Sequence, residues 1–139
     1  MIGLNECIKR GLIRKIAASR EKAKQSIEKA KELLQEANQN LENELTNSAV
    51  IVSYLSIFHA ARALLFKDGF REKSHECIVR YIEEKYGGKI SQKQIELLEK
   101  FKDERMHTQY DVSYSPSEED AEKMAEFAAE FIETIEQLI

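Results

Sequence analysis

An apolar run in the middle of the chain limits its fold more than any other feature. Residues 49–66 read AVIVSYLSIFHAARALLF and are apolar almost all the way round a helix. A helix of that kind has to be covered by other elements on most of its surface. The chain of 139 residues holds one proline and five glycines, which is too few turn residues for many short strands. The run therefore predicts the central helix of an all-α domain.

Apolar residues at helical spacing continue on both sides of this run. They predict an antiparallel, up-and-down helical bundle of four main helices plus a short helix, because the loops between them are short. The predicted starting points are Leu12 or Ser19, Ser48, Ser74, Ser91 and Ser117, and the first two helices end near Glu44 and Lys67. Serine at these points can accept a hydrogen bond from the first turn of each helix.

The length fits one domain over residues 1–139, with residues 1–11 as a loose N-terminal arm. No apolar run resembles a membrane span, and basic residues interrupt the N-terminus where a signal peptide would be apolar. Two cysteines, Cys7 and Cys77, cannot form a disulfide framework or a four-ligand zinc site by themselves. We expect free thiols, a cytoplasmic location and no membrane partner.

The charges are unevenly distributed. Residues 1–31 carry nine Lys/Arg and three acids, a net charge of +6, and residues 116–139 carry eight acids and one lysine, a net charge of −7. The basic segment could contact a polyanion such as RNA. It could equally attract the acidic end of the same chain or of a second copy, and we favour this second interpretation because the whole chain is acidic.

The signatures of several enzyme classes are absent from the sequence, including a glycine-rich phosphate loop, a CxxC pair and HExxH. Two Glu-x-x-His pairs occur, Glu72 with His75 and Glu104 with His107. Such pairs bind di-iron in bundles where other helices add inward glutamates. The central helix supplies no acid, so we expect neither a metal nor another cofactor.

The fourth predicted helix carries the most informative local feature. Its stripe of Ile95, Leu98 and Phe101 continues, four residues further, with Arg105. An arginine at that place can hold a phosphate with two hydrogen bonds. It can also pair with a carboxylate such as Asp103 or Asp111, and the sequence leaves both interpretations open.

Polar residues that could act with Arg105 follow closely. His107 or Tyr110 could move a proton in an attack of a ribose 2′-hydroxyl, and Tyr114 lies just beyond. On a regular helix Arg105 is about 200° from His107 and about 140° from Tyr110, so neither pair shares a face. A two-fold axis could bring two copies of the cluster into one cleft. His59 and Arg62 of the central helix either belong to the core or support this site.

At these residues the chain resembles the HEPN domain family (higher eukaryotes and prokaryotes nucleotide-binding). Tyr54 to Leu65, YLSIFHAARALL, is similar to the family's central-helix pattern YYAMFHAARALL, and Lys73-Ser74-His75 to its lead into the third helix. Arg105 falls where the family has an Arg-x(4–6)-His motif. Met106 follows it, and Tyr110 stands four residues on in place of the histidine, as in an Arg-x4-Tyr variant.

The resemblance implies a homodimer with the motif at the dimer cleft. It implies a prokaryotic toxin–antitoxin-type protein that binds RNA or a nucleotide, with Arg105, His59 and Arg62 as candidate ligands. It also implies a possible metal-independent endoribonuclease, with Arg105, Tyr110 and His107 as candidate catalytic residues. Its partner would be a minimal nucleotidyltransferase (MNT), which could adenylylate Tyr110 or Tyr114. The alternative is a catalytically inactive module that binds a nucleotide or a protein.

Overall fold

The computed structural model describes residues 2–139 and consists mainly of helices. Three long helices and one of intermediate length surround the central helix together with a two-stranded sheet. The elements in chain order are α1 (Leu4–Lys9), β1 (Ile13–Lys15), α2 (Arg20–Glu42), α3 (Thr46–Asp68), β2 (Phe70–Glu72), α4 (His75–Tyr86), α5 (Gln92–Tyr110) and α6 (Glu118–Glu136). The predicted all-α helical fold is confirmed.

The apolar run forms α3, which lies at the centre of the bundle. Its buried residues occur on all sides of the helix, because α2, α5 and α6 all pack against it. By length and composition α3 could cross a membrane, but 61% of its most apolar stretch is buried inside this domain. That burial is typical of the core helix of a soluble protein.

Helices α2 and α3 make the closest interface of the fold. Small residues line the α2 side, including Ala23 and Ala30, which are fully buried. The Ser26 hydroxyl donates to the carbonyl of His59 over 2.6 Å, and the Ser56 hydroxyl donates to the carbonyl of Ala30 over 2.7 Å. Hydroxyl groups reach backbone carbonyls of a neighbouring helix only when the two backbones approach closely.

Serine caps begin four of the helices, as the sequence predicts. Ser19, Ser74, Ser91 and Ser117 each accept a hydrogen bond from a backbone N–H in the first turn. The long first helix thus starts at the later of its two predicted points. The predicted start of the central helix at Ser48 is two residues late, because α3 begins at Thr46 without a side-chain cap.

A small antiparallel sheet forms where the sequence predicts no strand. Ile13 pairs with Glu72 and Lys15 with Phe70. Three-residue strands are too short to produce a recognisable alternation, so their pairing depends on the tertiary fold. The sheet places Glu72 beside α3, where its carboxylate is buried.

The N-terminal residues differ from the expected loose arm. They form α1, and its residues Leu4 and Cys7 are buried. The expectation of free thiols is wrong in this structure, since Cys7 forms a disulfide with Cys77 of α4. Seventy positions separate the two cysteines, so only the packing of α1 on α4 shows that they are neighbours. The predicted cytoplasmic location no longer has free thiols as support, and it stays a prediction.

The oppositely charged ends of the sequence meet within one chain. Lys31 of α2 and Glu136 of α6 lie 2.8 Å apart, and both side chains are largely exposed. This contact agrees with the favoured interpretation of the charge asymmetry. Exposed pairs of this kind contribute only about 0–1 kcal/mol to stability.

Gly69 should be hard to replace, because it ends α3 with a left-handed backbone at φ +90°. A Cβ there would lie 3.0 Å from the carbonyl oxygen of Ile16. We expect Gly69→Ala to lower the free energy of unfolding by about 1–3 kcal/mol in urea denaturation. Gly88→Ala is the control, since a Cβ at that position would meet nothing within 4 Å. Equal stabilities of the two variants would contradict the prediction.

Candidate functional site

Arg105 lies on α5, one turn after Phe101, whose ring packs against Phe127 of α6. This packing holds α5 so that Arg105 faces α3 and α4. Its guanidinium carbon is 4.8 Å from the centre of the Tyr54 ring of α3. Its terminal nitrogens are 3.1 Å from the Gln109 side-chain oxygen and 3.3 Å from Nδ1 of His75.

His75 is the first residue of α4, and its ring contacts both Arg105 of α5 and Tyr54 of α3. Its Nδ1 is also 2.8 Å from the hydroxyl of Tyr54. An arginine can only donate hydrogen bonds, so Nδ1 has to be the acceptor. A neutral His75 then carries its proton on Nε2. Asp68 helps to fix α4, since the hydroxyls of Tyr81 and Tyr86 donate to it over 2.7 and 2.6 Å.

Burial keeps the two partners of Arg105 uncharged at neutral pH. Burial, together with the nearby positive charges of Arg105 and Lys102, lowers the pKa of His75 to about 4. Burial also raises the pKa of Tyr54 to about 12, although Arg105 opposes that rise. The cluster of Arg105, His75 and Tyr54 therefore has one positive charge and no negative one.

Both carboxylates that could have paired with Arg105 are engaged elsewhere. Asp103 lies 3.8 Å from the ammonium of Lys102, and Asp111 accepts hydrogen bonds from the backbone N–H and hydroxyl of Ser113. Within residues 2–139 no carboxylate oxygen lies within 4 Å of the Arg105 guanidinium. Its Nε is buried and has no hydrogen-bond partner in that same range. The ion-pair interpretation thus loses both of its candidate partners.

A row of stacked side chains extends from this cluster along α3. The rings of His75 and Phe58 stack with their centres 4.1 Å apart. Arg62 lies over the rings of Phe58 and Phe66, at 5.4 and 5.1 Å, and its Nε is 2.8 Å from the carboxylate of Glu72. Arg62 is therefore neutralised by an acid, whereas Arg105 is not.

The other predicted site residues do not contact Arg105 within one chain. The Tyr110 side chain is 68% exposed at the end of α5. His107 is also largely exposed, 4.0 Å from Asp111 and with its ring next to that of Tyr114. The Tyr114 hydroxyl donates to Glu104, and this hydrogen bond raises the pKa of Tyr114 to about 12.

His59 belongs to a different surface from Arg105. It is half-buried between α2 and α3, and its ring meets the edge of Phe58. Burial lowers the pKa of His59, and the charges of Arg62 and Lys29 act in the same direction. His59 and Arg105 are thus linked only through Phe58 and His75.

The family comparison agrees with this architecture. The family model of the HEPN domain matches residues 23–138, which include α3 to α6, nearly all of α2 and the whole cluster. The chain belongs to the HEPN domain family. Membership supports a nucleotide- or RNA-related role at the level of the family. No curated protein matches the chain.

Within this HEPN domain the Glu-x-x-His pairs do not assemble a metal site. Glu72 pairs with Arg62, and Glu104 accepts from Tyr114. No cluster of three or more potential ligands of the His, Cys, Asp and Glu types occurs among the described residues.

Sequence reasoning missed the three side chains that contact Arg105, namely Tyr54, His75 and Gln109. Tyr54 and His75 lie in the two stretches on which the family resemblance depends, and that resemblance could have identified them as site residues. Gln109 stands four residues after Arg105, the spacing at which helical side chains meet. The contact between α4 and α5 that unites them could not be inferred from helical periodicity.

The lowered pKa of His75 predicts a pH-dependent stability. The unfolded chain binds a proton near pH 6.5, whereas the folded chain resists protonation until about pH 4. Stability from the neutral ring is complete above about pH 6.5 and is lost as the pH falls towards 4. Because His75 is only half-buried, we expect a loss of about 1–2 kcal/mol rather than the full effect of the shift.

His75→Phe tests this expectation, because phenylalanine can keep the stack on Phe58 and cannot titrate. Urea unfolding of both proteins between about pH 7 and pH 4.5 gives the stability difference at each pH. The difference should shrink as the pH falls. A difference that stays constant over this interval would show that His75 does not carry the effect.

Proposed function

We propose that this HEPN protein binds the phosphate of RNA or of a nucleotide through Arg105. The observation that carries the proposal is the lack of a carboxylate partner for a half-buried guanidinium. A partly desolvated charge without a counter-ion is unfavourable, so an arriving anion gains interaction energy. The stack on Tyr54 and the hydrogen bonds to His75 and Gln109 hold the guanidinium in place before the anion arrives.

A homodimer is the second part of the proposal. Met106 and Tyr110 lie one turn apart on α5, and Val112 follows in the next loop; all three are exposed. An apolar patch beside a charged site is typical of a protein interface. In the proposed dimer, Tyr110 of the second copy lies close to Arg105, an arrangement that a single chain does not achieve.

Metal-independent cleavage of RNA is a second candidate function, and it depends on that dimer. Cleavage needs a group that accepts the 2′-hydroxyl proton near the phosphate. In one chain the Nδ1 lone pair of His75 is already occupied by Arg105 and Tyr54. An exposed side chain of the second copy, Tyr110 or His107, would have to supply this group. Binding without cleavage therefore needs fewer assumptions.

We further propose that the protein belongs to a prokaryotic toxin–antitoxin-type pair, with an MNT nucleotidyltransferase as its partner and a cytoplasmic location. The exposure of Tyr110 supports it as the residue that such a partner would modify. Its hydroxyl oxygen would attack the α-phosphate of ATP, forming a phosphodiester, releasing pyrophosphate and losing its proton. The hydroxyl of Tyr114 is hydrogen-bonded to Glu104, and its side chain is less exposed than that of Tyr110.

Replacement of Arg105 tests the phosphate contact. We expect Arg105→Ala to weaken binding of a labelled RNA about tenfold to a hundredfold, since a hydrogen bond to a charged group contributes about 1.5–3 kcal/mol. Arg105→Lys should retain part of the affinity, because lysine keeps the charge but not the planar geometry. Arg10→Ala is the matched control, since Arg10 is exposed and already paired with Glu6.

The same proteins, incubated with labelled RNA in EDTA, separate the two candidate functions. Cleavage by the wild type that is lost in Arg105→Ala and Tyr110→Phe would establish the ribonuclease. Binding without cleavage by a folded dimer would leave the binding module. If Arg105→Ala binds RNA as tightly as Arg10→Ala does, the proposed phosphate contact is wrong.

Tyrosine modification can be tested with the MNT enzyme and ATP labelled on its α-phosphate. We expect transfer of label to the wild type and to Tyr114→Phe, and at least a tenfold loss in Tyr110→Phe, because Tyr110 is the exposed hydroxyl. Tryptic mass spectrometry would locate the added AMP. Undiminished labelling of Tyr110→Phe would exclude Tyr110 as the main acceptor.

A further inference from the structure

A basic groove lies between α2, α3 and β2, away from Arg105. Its walls carry Lys22 and Lys29 of α2, His59 and Arg62 of α3, and Arg71 of β2. The space between them measures about 410 Å³. Lys22 and Lys29 belong to the basic N-terminal segment, whereas the other three residues come much later in the chain. Only folding brings the two sets together.

Two of the four Lys/Arg side chains of this basic groove have no acidic partner among residues 2–139. Its lining contains no aspartate or glutamate. Arg62 is neutralised from behind by Glu72, and Lys29 has an exposed glutamate at 3.9 Å. Lys22 and Arg71 have no carboxylate within 4 Å among residues 2–139. A second groove, between α5 and α6, differs, since Glu126 and Glu130 line it together with its lysines.

We propose that the basic groove binds the phosphodiester backbone of single-stranded RNA. Lys22 and Lys29 stand seven residues apart on one face of α2, which separates them by about 10 Å along the helix axis. Cations spaced along a groove in this way match a chain of linked phosphates, which can contact each of them in turn. Arg71 faces the same space from β2 and offers a further contact on the opposite wall.

Ring surfaces in the groove favour RNA over an acidic peptide. Phe66 and the uncharged ring of His59 lie among the cations. Single-stranded nucleic acids are bound by this combination, in which cations follow the backbone and flat side chains receive the bases. An acidic peptide would use the cations but would leave the rings without a specific role.

The groove lies at one end of the stacked row on α3, and Arg105 lies at the other. Arg62 packs on Phe58, Phe58 stacks on His75, and His75 contacts Arg105. The inference extends the proposed function and rests on it, because one RNA strand would follow this row from Arg105 to the groove. The two sites can still be tested independently, since they share no residue.

A pair of matched double variants tests the groove. Lys22→Gln/Lys29→Gln removes two charges seven residues apart on α2, and Lys93→Gln/Lys100→Gln removes two charges at the same spacing on α5. All four lysines are exposed, so both variants should fold, which circular dichroism verifies. Binding of a fluorescein-labelled single-stranded RNA is measured by anisotropy at several salt concentrations, with Arg105→Ala in parallel.

At low salt we expect the α2 variant to bind the labelled RNA with an affinity at least about tenfold lower than that of the α5 variant. The slope of log K against log salt should fall in magnitude by about 1.4, because each lost phosphate contact on a single strand contributes about 0.7. Equal binding and equal slopes for the two double variants would overturn the inference. If Arg105→Ala alone weakens binding, the proposed function survives without the groove; if neither weakens it, both fail.

A competition experiment decides between RNA and an acidic peptide. Unlabelled RNA should displace the labelled strand from the wild type at a concentration at least tenfold lower than polyglutamate of equal charge. Equal displacement by polyglutamate would overturn the assignment to RNA, because the groove would then recognise negative charge alone.

Discussion

The close approach of α2 to α3 is the contact on which the rest of the structure depends. Alanines on α2 leave room for the two backbones, and the hydroxyls of Ser26 and Ser56 reach carbonyls across the interface. Because α3 is covered there by small side chains, its larger ones face the remaining helices. Tyr54, Phe58 and Arg62 stand at four-residue intervals along α3 and carry the stacked row of the candidate site.

The cluster at Arg105 is organised by neutral partners rather than by counter-ions. His75 and Tyr54 are buried enough to stay uncharged, so they orient the guanidinium without cancelling its charge. Arg62 differs, because its charge is neutralised by the carboxylate of Glu72. Two arginines thus line one row of stacked rings, and a single one keeps its charge available to a ligand.

The sequence predicts α2, α4, α5 and α6 well because each of them has its own apolar stripe and serine cap. Ser74, Ser91 and Ser117 mark their helices without any knowledge of the fold, and Arg105 stands out because it interrupts an apolar stripe. The partners of Arg105 lie on other helices, so periodicity could not reveal His75 or Tyr54 beside it. The short sheet and the Cys7–Cys77 bond were missed for the same reason, since both join segments far apart in the chain.

The disulfide between Cys7 and Cys77 also changes how the domain would respond to a pulling force. It closes a covalent ring that contains α2 and α3. Tension applied between the chain ends would run through the bond and bypass both helices. Stretching would therefore unfold α5 and α6, while the residues within the ring bear no tension. Reduction of the disulfide would let the enclosed segment extend as well.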